Sequence, residues 1–218
     1  ADIDGNIYST IQIGNQVWMA ENLKVTRFNN GEEIPTFHDD EEWGYLTSPG
    51  YSEEESEIYG NLYNWFAVDD DRGLCPEGWH VPSNSEYQDL EIFLGVEVFN
   101  EDSVGWVGDN QGSHLAGNDV LWEDGNLEYD LEFGLSDFNV LPAGRRLSYS
   151  GEFSELNERA YLWTSTETQS CSSNYCDAWI RIIDYTSTQI GRFDYYDKAY
   201  GQSVRCIQGN GDELNNND

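Results

Sequence analysis

The chain has 218 residues, with 42 aspartates and glutamates against 10 lysines and arginines and a formal net charge of −32. A field that negative repels phosphates, which excludes nucleic acid as a partner and disfavours docking on an anionic membrane surface. Eight Trp, fourteen Tyr and nine Phe carry far more buriable surface than disordered acidic chains do, so one folded domain with a solvated acidic shell is expected. No stretch approaches the roughly 18 apolar residues of a membrane span. No charged start followed by an apolar core marks a signal peptide, so a mature or trimmed start is expected.

Residues 6–13 alternate polar and apolar, Gly14 and Asn15 make a turn, and residues 16–19 (QVWM) resume the pattern, which predicts a β-hairpin. Residues 28–60 hold Gly, Pro and acidic clusters with little periodicity and read as loop. Residues 62–68 (LYNWFAV) form a dense apolar run, either a short helix or a buried strand. The clearest helix signal follows. Pro82 precedes a capping box at 83–86 (SNSE), after which Tyr87, Leu90, Phe93 and Leu94 share one face and Gly95 closes the helix. A second, weaker helix is expected over 114–120. Beyond Leu135, short strands are expected at 139–141, 161–165, 178–183, 190–193 and 203–207, with 209–218 (GNGDELNNND) a frayed acidic tail. The outcome is a single α+β domain over residues 1–208, with a mostly antiparallel sheet and long loops.

The cysteines are Cys75, Cys171, Cys176 and Cys206. A bridge between Cys75 and Cys206 would close a long loop, and Cys171 and Cys176 could bridge locally, bind a metal or stay free; sequence alone leaves the pairing open. An oxidising location is expected. Asp2-Ile3-Asp4-Gly5 and Asp69-Asp70-Asp71 have carboxylates for calcium but lack the remaining ligands, so turns are expected there. His38, His80 and His114 are too scattered for zinc. No cofactor is expected. Arg181, Arg192 and Arg205, scarce cations in an acidic chain, are expected to pair internally with carboxylates.

The stretch 163–206 interleaves buriable positions (Trp163, Trp179, Ile180, Arg181, Ile190, Arg192, Val204, Arg205) with clusters of Ser, Tyr, Asn, Asp and Thr. The first set suits strands. The second is the composition of adaptable binding surfaces, where Tyr gives stiff contact area and Ser, Asn and Asp give short hydrogen-bonding groups.

Six segments in order carry a resemblance: 2–8 (DIDGNIY), 13–23 (IGNQVWMAENL), 59–65 (YGNLYNW), 75–83 (CPEGWHVPS), 141–146 (LPAGRR) and 203–206 (SVRC). The series resembles the Fibrobacter succinogenes major paralogous domain family across nearly the whole chain. The layout is also similar to the C-type lectin fold, whose terminal strands pair and whose first-helix region commonly bridges by disulfide to the last strand. That resemblance implies a Cys75–Cys206 bond. The sugar-binding tripeptides (Glu-Pro-Asn, Gln-Pro-Asp, Trp-Asn-Asp) are missing, so calcium-dependent sugar binding is not implied.

Two uses of this fold suggest functions. The chain is similar to variable proteins of diversity-generating retroelements, which carry adenine-targeted variation on their last strands. This implies a display protein, not an enzyme, whose hypervariable C-terminal face binds a protein or cell-surface ligand outside the cell. The implied contacts are Ser172, Ser173, Asn174, Tyr175, Asp177, Asp184, Tyr185, Asp194, Tyr195, Tyr196 and Asp197. The alternative rests on Cys171 and Cys176, whose four-residue spacing resembles that of copper-dependent formylglycine-generating oxidases. There two thiolates hold Cu(I), a soft metal that prefers sulfur. Asp177-Ala178 departs from the aromatic and basic residues expected after the second cysteine of that family.

Overall fold

The hairpin predicted at the start forms as β1 (Thr10–Ile13) and β2 (Gln16–Met19), antiparallel with Ile13 opposite Gln16. Gly14 holds φ +60° in the two-residue turn, and a Cβ there would lie 2.9 Å from the Phe93 ring, so the position favours glycine twice over. The computed structural model describes residues 1–44, 46–53, 56–97, 103–168 and 176–209.

Onward from the hairpin come α1 (Asp40–Gly44), β3 (Tyr51–Ser52), α2 (Ser56–Tyr59), β4 (Leu62–Tyr63), α3 (Trp65–Val68), β5 (Trp79–His80) and α4 (Asn84–Phe93). Next are β6 (Gly105–Val107), α5 (Gln111–Leu115), a 3-10 turn (Asp119–Leu121) and α6 (Asn126–Tyr129). The chain closes with β7 (Arg145–Arg146), β8 (Phe153–Ser154), β9 (Arg159–Glu167), β10 (Ala178–Asp184), β11 (Ile190–Tyr196) and β12 (Ile207–Gln208). Two four-stranded sheets dominate, ordered β1-β2-β12-β5 and β6-β11-β10-β9, and each of their pairings is antiparallel. The first sheet pairs the N-terminal hairpin with the last strand, and a Cys75–Cys206 disulfide ties that strand to the segment before β5. This is an α+β fold of the C-type lectin-like kind.

The larger sheet carries a core on each face. One packs Tyr161, Trp163, Ala178, Ile180 and Ile182 against Trp65, Tyr63 and the N-terminal loops. Two indole N–H groups fasten it, Trp163 donating to the Tyr63 carbonyl and Trp65 to that of Thr164, both at 2.9 Å. The other packs Leu162, Ile183 and Ile190 against Leu90 and Tyr87 of α4, together with Trp18 and Phe138. The rings of Tyr87 and Phe138 lie 5.1 and 5.4 Å from Trp18.

Helix α4 begins as predicted: Ser83 accepts from the Glu86 amide, and the Glu86 carboxylate accepts from the Ser83 amide. Its buried face differs from the apolar stripe. Phe93 is 63% exposed, while Asn84, Gln88 and Glu91 are buried alongside Tyr87 and Leu90. The facing strands bury Arg181 and Arg192, and Glu91 turns inward to meet them.

Other expectations shift as well. The loop expected at 28–60 contains α1, β3 and α2. The apolar run 62–68 divides into β4 and α3, with the Asn64 side chain accepting from the Ala67 amide to cap α3. Val140 makes one isolated bridge to Ala116 instead of a strand, and the strand expected over 203–207 narrows to β12 because Ser203 and Gln202 bridge to other elements. Residues 210–218 of the expected tail lie outside the described residues.

Candidate ligand-binding face

Strand β10 is buried along its whole length between β9 and β11. At its start the ladder loses step. From Ala178 to Ile180 the central strand advances two residues, while β11 advances from Tyr196 back to Phe193 and β9 from Glu167 back to Trp163. Extra residues on both neighbours shift the register at this end, and bulges of this kind bend and twist the strands locally. On β11 the extra residue resets the alternation, so Phe193 and Tyr196 face the same core while Tyr195 is pushed outward to 59% exposure.

The rings then form a chain across the surface. Trp106 and Phe193 are 6.0 Å apart, Phe193 and Tyr195 5.4 Å, Tyr195 and Tyr196 5.6 Å, and Tyr196 and Tyr200 5.6 Å. Beneath, the Arg145 guanidinium sits 4.6 Å from the Tyr161 ring centre and 5.2 Å from that of Tyr200. The Glu155 carboxylate holds Arg145 at 2.8 Å and accepts from the Tyr161 hydroxyl at 2.7 Å. Burial first, and then the Glu155 hydrogen bond, keep that phenol protonated well above its ordinary range.

Carboxylates border the strip. Asp194 accepts from Thr168, and Asp197 accepts from the Ala199 amide, fixing the turn after β11. Partial burial raises the Asp177 carboxyl above its ordinary value, and the charges of Asp197 and Asp194 add to that. Lys198, beside these carboxylates, is bonded to Glu167 and lies 4.2 Å over the Trp65 ring.

Of the contacts expected from sequence, the fold brings Asp177, Asp194, Tyr195, Tyr196 and Asp197 together at this bulged end. Asp184 and Tyr185 do not join them. They lie at the opposite end of β10, where Asp184, 2% exposed, accepts from Arg159 Nε at 2.5 Å and from the Thr186 hydroxyl at 2.6 Å. A buried, fully engaged carboxylate supports the β10–β11 turn and is not a surface contact. Ser172, Ser173, Asn174 and Tyr175 lie outside the described residues. Trp106, Phe193 and Arg145 belong to the strip without having been expected there, and no local pattern in the sequence marked them.

The arginines behind the face are structural, as expected, although their partners are not all acids. Arg181 pairs with Glu91, and Arg192 Nε lies 3.6 Å from the same carboxylate. Arg205 instead donates to Asn22 Oδ1 at 3.0 Å and to the carbonyls of Phe138 and Asn139. Burial without a carboxylate partner pulls its value down to about 10. The two acidic turns are likewise occupied: Asp2 accepts from the amides of Asp4 and Asn6, and Asp70 pairs with Arg72 at 2.7 Å.

Cys176, at the edge of this face, is disulfide-bonded, and Cys171 lies outside the described residues. A cleft of about 590 Å³ opens elsewhere, between Ser9, Glu21, Asn118 and Asn139, and takes no side chain from the contact set. Among the described residues no helix is long and apolar enough to cross a membrane.

No curated protein and no solved structure matches the chain. The family model of the Fibrobacter succinogenes major domain matches residues 11–208, from the first strand to the last, and the chain belongs to that family.

Proposed function

We propose that this chain is a ligand-binding display domain, presenting the bulged end of the β9–β11 sheet to a protein or cell-surface partner outside the cell. The observation that carries the reading is the division of labour within β10 and β11. Arg181, Arg192, Ile180 and Ala178 are buried, while Tyr195 is exposed and Asp177, Asp194 and Asp197 are half-buried on that support. Tyr and Asp on a rigid sheet bind by shape and hydrogen-bond complementarity with little ordering cost. Two rings of the strip, Tyr195 and Trp106, are exposed, and exposed aromatic area suits a macromolecule better than a small ligand.

The Cys75–Cys206 disulfide and the disulfide at Cys176 fit an oxidising, extracellular setting. The second of these also weighs against the copper oxidase alternative, because a sulfur engaged in a disulfide supplies no thiolate to Cu(I). The resemblance to retroelement-diversified proteins extends the reading: the same positions would be the ones varied.

Selection provides the test. In a displayed library randomised at Asp177, Asp194, Tyr195 and Asp197, most members should fold, and binders to unrelated protein baits should emerge at micromolar affinity or better. A library that folds and yields no binder to any bait counts against the reading.

A further inference from the structure

Resting on that display reading, we propose that the natural partner offers a basic protein surface. Its arginines and lysines would seat on the rings of Tyr195 and Trp106, facing the carboxylates of Asp177, Asp194 and Asp197.

Three observations converge on this chemistry. The first is the exposed ring pair: Tyr195 is 59% and Trp106 41% exposed, joined through Phe193 into one strip. Aromatic faces carry negative potential and attract cations. The second is internal precedent. The molecule already places cations on this class of ring nearby, Arg145 over Tyr161, Tyr196 and Tyr200, and Lys198 over Trp65. An incoming guanidinium on Tyr195 would extend the same arrangement by one ring. The third is charge. Asp177, Asp194 and Asp197 lie close enough that, after partial burial, the charges of the other two add to raising Asp177 above its ordinary value, and the nearby Lys198 is engaged by Glu167. Cations from a partner relieve that repulsion, whereas anions add to it.

The net charge of −32 acts in the same direction at long range, steering basic partners in and anionic ones away. Long-range attraction alone would give a diffuse preference spread over the whole surface. A built site makes the preference local, and that difference can be measured.

The probe is octa-arginine, titrated calorimetrically into the full chain at about 150 mM salt, where the Debye length is about 8 Å and distant charges contribute little. Three variants are compared: Trp106→Ala/Tyr195→Ala, Asp177→Asn/Asp194→Asn/Asp197→Asn, and the control Asp119→Asn/Glu123→Gln/Asp124→Gln, which removes three exposed acids elsewhere. Each is first shown to fold by its near-UV circular dichroism and melting temperature. Affinity should fall about tenfold or more in the first two and less than twofold in the control. Equal losses in the two triple variants, or no loss on removing the rings, would overturn the inference. If library selection yields binders while octa-arginine shows no such local preference, the display reading stands and the basic-partner inference falls. If octa-arginine does show it and selection fails, the face is basic-specific and the general display reading falls.

Discussion

Replacing Glu91 with alanine is expected to destabilise the chain by about 3–5 kcal/mol, the range for removing one partner of a buried ion pair. Glu91, Arg181 and Arg192 are each about 1% exposed. One carboxylate oxygen bonds Arg181, and the other faces Arg192 Nε at 3.6 Å. Without it, two guanidiniums remain in a buried layer between α4 and the sheet, with Arg181 left to the carbonyls of Ile180 and Asn84. Glu91→Gln keeps the shape and loses the charge, so it should fall between wild type and alanine. Urea unfolding followed by tryptophan fluorescence measures all three. A loss below about 1 kcal/mol for the alanine variant would mean that water reaches the layer and solvates the arginines.

The second large effect is at the disulfide. Cys75 and Cys206 are 131 residues apart in sequence, and closing a loop of that length constrains the unfolded chain by about 5 kcal/mol in the chain-entropy model. Both cysteines are buried, so Cys75→Ala/Cys206→Ala is the cleaner variant. Its denaturation midpoint should fall far enough to leave the chain marginal at 37 °C, given that domains of this size hold about 5–15 kcal/mol in total. A midpoint within a few tenths of a molar of wild type would show that β12 is held by its ladder and by Arg205 without the bond.

Much of this architecture was legible in the chain. The hairpin could be read because Gly14 and Asn15 interrupt an alternating pattern, and α4 could be read from its capping box, since both signals are local and depend on few residues. The core strands β9, β10 and β11 were legible as apolar runs between turn residues. What sequence could not supply was the facing partner of each side chain. Phe93 continues the apolar spacing of α4 yet lies outside, whereas Glu91 lies inside, because the surface opposite happens to present two arginines. Asn84, Gln88 and Glu91, at i, i+4 and i+7, were a second stripe hidden beside the apolar one. The site was legible to a similar degree. Asp177 and residues 194–197 share one end of the sheet, which antiparallel pairing of β10 with β11 requires. Asp184 has the same composition and the opposite end, and only the register separates them. The bulge that turns Tyr195 outward arises from strand lengths between distant pairings, which no local pattern records.

The most direct test of an exchangeable face on a fixed support is a substitution scan of residues 160–206, with every variant displayed and its stability read by protease resistance. The account predicts that Asp177, Asp194 and Tyr195 accept most side chains within about 0.5 kcal/mol, while Asp197, whose carboxylate accepts from the Ala199 amide, loses about 1 kcal/mol when that acceptor is removed. Ile180, Trp163, Arg181 and Arg192 should tolerate almost none. If Asp177, Asp194 and Tyr195 prove as intolerant as the buried positions, their side chains serve the fold and the face is not a site for binding.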